Sequence, residues 1–135
     1  MATILAHITV REGAEERFEE IARELHEATH RTEDDVLRYE YWRGAEARRY
    51  YTLLSFTDEH AFFTHQVAEH HEEAGRQLGA VIEEIRLEWV DPVDGAATLP
   101  RTVALPVPED ANERWLAYHA RQAAQEADWW QPLRG

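Results

Sequence analysis

The sequence of 135 residues contains no cysteine and no lysine. Without cysteine, disulfides, thiolate catalysis, iron–sulfur clusters and cysteine-ligated zinc are all excluded. No apolar run approaches the length of a bilayer span. The N-terminus also lacks the charged and apolar regions of a signal peptide, so we expect a cytoplasmic protein. A chain of this length is expected to form one domain with a short appendage.

Positive charge is scarce as well. Fourteen arginines stand against 27 acidic residues, and the formal net charge is −13. Nucleic acid and anionic membranes would be repelled by such a chain, so neither is expected as a partner. Hydrophobic residues, in contrast, make up 44% of the sequence. That proportion is sufficient for a packed core.

Hydrophobic periodicity predicts four strands and two helices between residues 3 and 92. The predicted strands cover residues 3–11, 36–43, 49–56 and 81–90. The first predicted helix covers residues 14–32. The second is capped by Thr57 or Asp58 and extends to about Leu78. The order β-α-β-β-α-β is that of a ferredoxin-like α+β fold, with both helices on one face of an antiparallel sheet.

The two faces of the predicted sheet differ in character. Aliphatic residues alternate from Ile4 to Val10 and are expected to face the helices. We predict that the opposite face carries Leu5, His7 and the aromatic residues of the second and third strands, including the tyrosines of the second. An apolar face of this kind requires cover, which a second copy of the chain would supply. The expected assembly is a homodimeric α+β barrel enclosing a pocket for a small aromatic molecule.

The remaining residues, 95–135, are predicted to form an appendage to the domain at 1–94. Three prolines mark residues 95–108 as a linker, in which residues 102–105 could add a short edge strand. Residues 109–128 have the periodicity of a third helix.

The stripe of this third helix contains Leu116 and Ala120, and Trp115 and Tyr118 lie nearby. The pair Trp129-Trp130 follows. An isolated helix so rich in tryptophan has to dock on something. We expect it to pack on the barrel or on the partner subunit and to narrow access to the pocket.

Three segments carry a resemblance to a known family. They are Ile-Thr-Val-Arg-Glu-Gly ending at Gly13, Thr-Glu-Asp-Asp-Val-Leu-Arg-Tyr at 32–39, and YYTLLSFTDEHAFFTHQVAEHH at 50–71. Together with the order of elements, they make residues 3–92 similar to the antibiotic biosynthesis monooxygenase family, which includes quinol monooxygenases. The family pattern D-x-x-A-x-x-x-H, with a second histidine five residues later, corresponds here to His65 and His70.

This resemblance implies an oxygenase that needs no cofactor, neither metal nor flavin. An electron-rich phenol, anthrone or quinol would lose a proton to a base, and its anion would pass an electron to dioxygen. The protein would supply the base and a dry, aromatic cavity. Histidine is the natural base, and the resemblance makes His65 the leading candidate and His70 the second. His71 is expected to be solvated.

The side chains of His65 and His70 can reach the same pocket only if the helix between them is not continuous and straight. Five residues correspond to about 140° around a helix, so the helix must bend or end between them. A surface role for either histidine stays open. His7 could bind a phenolate or form a hydrogen bond with a neighbouring side chain. The candidate substrate-binding residues are His7, Tyr39, Trp42, Tyr51, Phe56 and Phe62.

The segment from His26 to His30 matches the zinc-protease motif H-E-x-x-H. Its helical stripe is expected to face the core, however, and the sequence offers no recognisable third ligand. The histidines at 60, 65, 70 and 71 are scattered around a helix by their spacing. We therefore expect no metal site.

Two other functions remain open at this point. One is a binding protein without catalysis, since fold does not fix function and Leu54 stands where many family members have glutamate. The other is haem handling, because related barrels degrade haem. His65 stands where such enzymes usually have tryptophan, which disfavours haem. Phe56 and the pair Asp35-Val36 also depart from the family pattern, which has tryptophan and Gly-Cys at these places.

Overall fold

The computed structural model describes residues 1–93 and 95–124. Its strands are β1 (Ala2–Val10), β2 (Val36–Arg43), β3 (Arg49–Phe56) and β4 (Ile82–Trp89). Its helices are α1 (Glu15–Thr32), α2 (Glu59–Val67), α3 (Glu69–Val81) and α4 (Glu113–Gln122). The strands form one antiparallel sheet in the order β2-β3-β1-β4. The predicted ferredoxin-like α+β fold is confirmed, with the second predicted helix divided into α2 and α3.

The core lies between the helices and one face of the sheet. The buried residues of α1 are Phe18, Ile21, Ala22, Leu25 and Thr29. From β1, the alternating side chains of Ile4 to Val10 are at most 4% exposed. Each large side chain removed from water in this way contributes roughly 1.5–3 kcal/mol. In the described residues, no helix is both long and apolar enough to cross a bilayer.

The tyrosines of β2 lie on the helix side of the sheet, and the prediction that they face away from the helices is wrong. Tyr39 pairs with Leu54 and Tyr41 with Thr52 in the register of β2 and β3. The ring of Tyr41 lies 5.9 Å from that of Phe18 on α1. Because β2 has aromatic residues on both faces, its pattern alone did not identify the buried face.

The opposite face of the sheet, called the open face below, carries a row of aromatic side chains across three strands. His7 pairs with Tyr51, and Tyr51 pairs with Trp42. Trp42 is 56% exposed and Tyr51 is 37% exposed. Nε2 of His7 lies 2.9 Å from a carboxylate oxygen of Glu88. The open face therefore combines exposed rings with charged groups of the neighbouring strand.

The helix that follows β3 is interrupted at Ala68, whose backbone is extended (φ −62°, ψ 140°). The side chain of Asp58 caps α2 by accepting a hydrogen bond of 2.8 Å from the backbone N–H of Ala61, as expected for a cap at 57 or 58. After Ala68 the chain begins a new helix, α3. The interruption therefore resets which side chains face the sheet.

The C-terminal helix is shorter than predicted. It begins after Asn112, whose side chain accepts a hydrogen bond of 2.9 Å from the backbone N–H of Trp115. Residues 125–128 of the predicted helix, and the pair Trp129-Trp130, lie outside the described residues. Leu116 is 42% exposed, so the predicted stripe is not the face that packs.

Trp115 instead holds α4 against α2. Its side chain is 7% exposed, and its ring lies 4.8 Å from that of Phe63 and 5.6 Å from that of His60. His119 stacks on the same indole at 5.5 Å. An indole buries more apolar area than leucine or alanine, which explains why this face prevails over the one with Leu116.

The segment before α4 does not add a strand to the sheet within the described residues. The N–H of Val103 donates to the carbonyl of Met1 at 3.1 Å, but residues 102–105 have no strand structure in the described part of the chain, so the option of an edge strand there is not realised. The buried side chain of Thr102 accepts a hydrogen bond from the N–H of Thr3 at 3.2 Å. A side chain thus occupies the place where a strand would have continued the ladder.

Candidate active site

A cavity of about 1200 Å³ lies between the helices and the sheet of a single chain. The sheet contributes Tyr39, Tyr41 and Thr52 to its wall, and the helices contribute Phe62 and His71. This cavity lies within one chain, whereas the pocket expected from the sequence, between the stacked sheets of two subunits, stays a prediction. The open face is on the other side of the sheet from this cavity.

His71 is half-buried in the cavity wall, and the expectation that it is solvated is wrong. Its Nδ1 lies 3.1 Å from the carbonyl oxygen of Gln66. A carbonyl can only accept, so Nδ1 carries the proton and Nε2 is left as a hydrogen-bond acceptor. Burial, and then the neighbouring His65, lower the pKa of His71 to about 3. The ring is therefore neutral in the free protein.

Tyr39 and Tyr41 supply hydroxyl groups to the same cavity. Their oxygens lie 2.9 Å apart. Burial raises the pKa of Tyr39 well above its ordinary value and that of Tyr41 to about 12, so both stay protonated. One O–H bonds to the other tyrosine, which leaves one hydrogen for a ligand. The hydroxyl of Thr52 is buried and has no partner among the described residues.

The predicted base candidates His65 and His70 come together on a residue that sequence reasoning missed. Nδ1 of His65 and Nε2 of His70 lie 2.8 Å and 2.7 Å from the same carboxylate oxygen of Glu33. The helix break at Ala68 makes this convergence possible, as the spacing argument required. Burial acts to raise the pKa of Glu33, but the hydrogen bonds and positive charge of both histidines outweigh it, and the pKa is lowered.

Neither of these two histidines is in the cavity wall. His65 is fully buried, and its ring lies 4.9 Å from Tyr39 and 5.4 Å from Phe56. The only sequence signal for Glu33 was its place in the segment 32–39 that carries the family resemblance. The cluster Glu33–His65–His70 therefore lies behind the wall to which His71 and Tyr39 contribute.

The other predicted binding residues fall into three places. Phe62 joins Tyr39 in the cavity. Phe56 is fully buried and packs on Phe62 with ring centroids 5.7 Å apart, behind the cavity wall. The remaining three, His7, Trp42 and Tyr51, lie on the open face, away from the cavity.

The H-E-x-x-H segment does not form a metal centre. His26 and Glu27 are exposed on α1, and Nε2 of His30 lies 3.2 Å from the backbone carbonyl of Tyr39. No further histidine or carboxylate joins them in the described part of the chain. The motif is therefore a coincidence of helical spacing.

The chain that follows β4 forms part of the cavity wall. Tyr118, Arg121 and Gln122 line it. The side chain of Gln66 donates a hydrogen bond of 2.7 Å to the side chain of Gln122, and the indole N–H of Trp89 donates one of 2.9 Å to the backbone carbonyl of Gln122. These bonds fix the end of α4 at the cavity wall.

A buried carboxylate, that of Glu59, anchors the same region. Glu59 is 1% exposed and stands in the first turn of α2. It accepts hydrogen bonds from the backbone N–H of Leu105 at 2.6 Å and of Ala124 at 3.2 Å. One side chain therefore holds the chain on both sides of α4.

Comparisons with known proteins agree with this architecture. The PA3566 protein of Pseudomonas aeruginosa has a TM-score of 0.60 and 26% identity over 66% of this chain and 90% of its own. A crystallised antibiotic biosynthesis monooxygenase has a TM-score of 0.63 and 21% identity over 69% and 99%. Rv0793 of Mycobacterium tuberculosis has a TM-score of 0.64 and 18% identity over 71% and 98%. No curated protein matches the chain.

The family comparison covers more than half of the sequence. The sequence model described as "Antibiotic biosynthesis monooxygenase" matches residues 1–77. This segment includes β1 to α2 and most of α3, and thus Glu33, Tyr39, Tyr41 and all the histidines discussed above except His119. The chain belongs to the antibiotic biosynthesis monooxygenase family.

Proposed function

We propose that the protein is a cofactor-independent monooxygenase that oxidises an electron-rich phenol, anthrone or quinol with dioxygen. The observation that carries the proposal is the set of side chains that line the cavity. The wall combines aromatic and aliphatic side chains with charged residues of β4, and it holds one neutral imidazole acceptor, on His71, and one available phenolic donor, on the Tyr39–Tyr41 pair. A substrate that gives up a proton and becomes an anion needs both of these groups.

For an anthrone, the reaction begins when the ring CH₂ group gives a proton to Nε2 of His71. A tyrosine O–H donates a hydrogen bond to the developing oxyanion, and this bond strengthens as charge accumulates. The anion gives one electron to dioxygen, and the resulting radical and superoxide form a C–O bond. The imidazolium returns the proton to the peroxide, which loses water. One oxygen atom ends in the new carbonyl group, and the other ends in water.

This assignment moves the proposed base from His65 or His70 to His71. His65 and His70 donate to Glu33 behind the wall, so we propose that they support the wall. Burial disfavours the imidazolium of His71 in the free protein. An organic anion formed beside it compensates that cost by direct charge pairing.

The test is oxygen uptake with a panel of anthrones and reduced quinones, in buffer containing a chelator. We expect turnover above the spontaneous rate for at least one compound, with formation of the carbonyl product. Tyr51→Phe, on the open face, should turn over at the wild-type rate. Background rates across the whole panel would contradict the proposal.

A ligand-binding protein without turnover is the second candidate. Leu54 lies in the cavity wall, where many family members have glutamate, so the wall is less polar here. In this case a panel compound would raise the melting temperature and be recovered chemically unchanged. Mass spectrometry of the recovered compound separates the two functions.

We also infer that two copies of the chain associate through the open face. The row formed by His7, Tyr51 and Trp42 places exposed aromatic area beside Leu5 and Leu53. Aromatic residues are enriched in protein interfaces. Stacking two sheets would remove these rings from water without covering the cavity.

Tyr51→Glu is expected to weaken this dimer at least about tenfold, which corresponds to about 1.4 kcal/mol, because a carboxylate would be buried among rings. Light scattering coupled to size-exclusion chromatography over a concentration series measures the change. Leu116→Glu, at an exposed residue of α4, should leave the dimer intact. A wild-type protein that is monomeric at micromolar concentration would rule out the interface.

A further inference from the structure

We propose that Glu33, His65 and His70 bind a divalent transition-metal cation, for which Zn²⁺ is the best probe. One ligand atom from each of these residues lies within 4.8 Å of the others. The three residues come from the turn after α1, from α2 and from α3, so a bound cation would join three separate segments. The proposal does not depend on the proposed oxidation.

The donor atoms match what such a cation prefers. Two imidazole nitrogens and one carboxylate oxygen form a common ligand set for zinc and other first-row divalent metals. With metal–ligand bonds of about 2.1 Å and tetrahedral angles, neighbouring donors stand about 3.4 Å apart. The oxygen of Glu33 already lies 2.8 Å and 2.7 Å from the two nitrogens, and the three ligand atoms lie within 4.8 Å of one another. Small side-chain rotations that open the two short contacts by about 0.6–0.7 Å would give that spacing.

The surroundings of the second nitrogen of His65 also agree with cation binding through its first nitrogen, Nδ1. Nε2 is buried and has no hydrogen-bond partner among the described residues. The rings of Tyr39 and Phe56 surround the imidazole. An N–H group among aromatic rings gains a weak N–H···π contact, whereas a buried lone pair gains nothing there.

With a proton on Nε2, Nδ1 is the nitrogen that faces the carboxylate oxygen of Glu33 at 2.8 Å. In the metal-free protein a proton lies between these two atoms, as their hydrogen bond requires. A divalent cation would replace that proton and be bound by both atoms.

The site is accessible from one side and lies outside the cavity. The side chains of His70 and Glu33 are 22% and 13% exposed, and that of His65 is fully buried. None of the three is in the cavity wall. The cation would therefore stabilise the α2–α3 break and the turn before β2 without contacting a ligand in the cavity.

The experiment uses the full chain, stripped with a chelator and dialysed. Zn²⁺ titration by calorimetry is expected to show one ion per chain, with a raised melting temperature, and Co²⁺ should give a visible absorption spectrum typical of nitrogen and oxygen ligands. Glu33→Gln and His70→Ala should each weaken Zn²⁺ binding by at least about tenfold. Both residues are partly exposed, so these variants are expected to fold, and circular dichroism checks this.

The exposed pair on α1 supplies matched controls, because His26→Ala and Glu27→Gln remove the same residue types from the H-E-x-x-H segment. They should bind Zn²⁺ like the wild type. The proposal is overturned if the wild type takes up no stoichiometric ion, or if Glu33→Gln and His70→Ala bind as well as the controls do. Turnover in the presence of chelator tests the oxidation separately, so a failure of one proposal is distinguishable from a failure of the other.

Discussion

Replacing His71 with phenylalanine is expected to lower kcat/KM for the best substrate of the panel by about 10²–10⁴, the usual contribution of a general base. The phenyl ring preserves most of the packing but cannot take a proton. The loss should appear mainly in kcat, because the aromatic side chains proposed to bind the substrate are unchanged. Steady-state oxygen uptake measures the rates, and thermal shift with the same compound measures binding.

Two further variants make the His71 prediction specific. His71→Gln can accept a hydrogen bond but cannot act as a base, so it should bind the compound and turn it over as slowly as His71→Phe does. His26→Phe, on the exposed surface of α1, should keep the wild-type rate. Wild-type kcat/KM in His71→Phe would show that the base is another residue.

The second large effect is expected at Glu59. Glu59→Ala removes a buried acceptor and leaves the backbone N–H groups of Leu105 and Ala124 unpaired. Each hydrogen bond to a charged group contributes about 1.5–3 kcal/mol, so the free energy of unfolding should fall by roughly 2–4 kcal/mol after local relaxation. Urea denaturation measures the loss. Trypsin should also cleave faster at Arg101, Arg114 and Arg121, because α4 is released from α2.

Glu69 provides a close comparison, because it stands in the first turn of α3 as Glu59 does in α2, but is exposed. Glu69→Ala should cost only about 0.3–1 kcal/mol through the helix dipole. Glu59→Gln retains one carbonyl acceptor and should lie between the two. Equal losses in Glu59→Ala and Glu69→Ala would show that the buried carboxylate does not anchor the C-terminal segment.

Local chemistry was sufficient to predict most of the fold. The strands at 36–43 and 49–56 were predicted with the bounds that the structure has, because a polar turn precedes the first and a glycine-containing connection separates the two. The buried stripe of α1 followed from 3.6-residue periodicity. The dominant face of α4 was missed because Trp115 and Leu116 both fit an apolar stripe, and tertiary contacts with Phe63 decided between them.

The site was harder to predict, and the helix break explains why. Ala68 is a good helix former, and nothing in the local sequence indicates that its backbone is extended. One continuous helix would place His71 about 240° around the axis from His65, but that angle holds only without a break. Once α3 begins at Glu69 the phase changes, so His71 reaches the cavity wall while His65 and His70 meet at Glu33.

The family match ends at residue 77, whereas Tyr118, Arg121 and Gln122 line the cavity from beyond it. The groups proposed to act on the substrate and these lining residues therefore belong to different parts of the sequence. Mutations in the later part could change the accepted size and shape of a compound while leaving proton transfer untouched. Substrate preferences measured on shorter homologues would then be a poor guide, and bulky compounds should be assayed on all 135 residues of this chain.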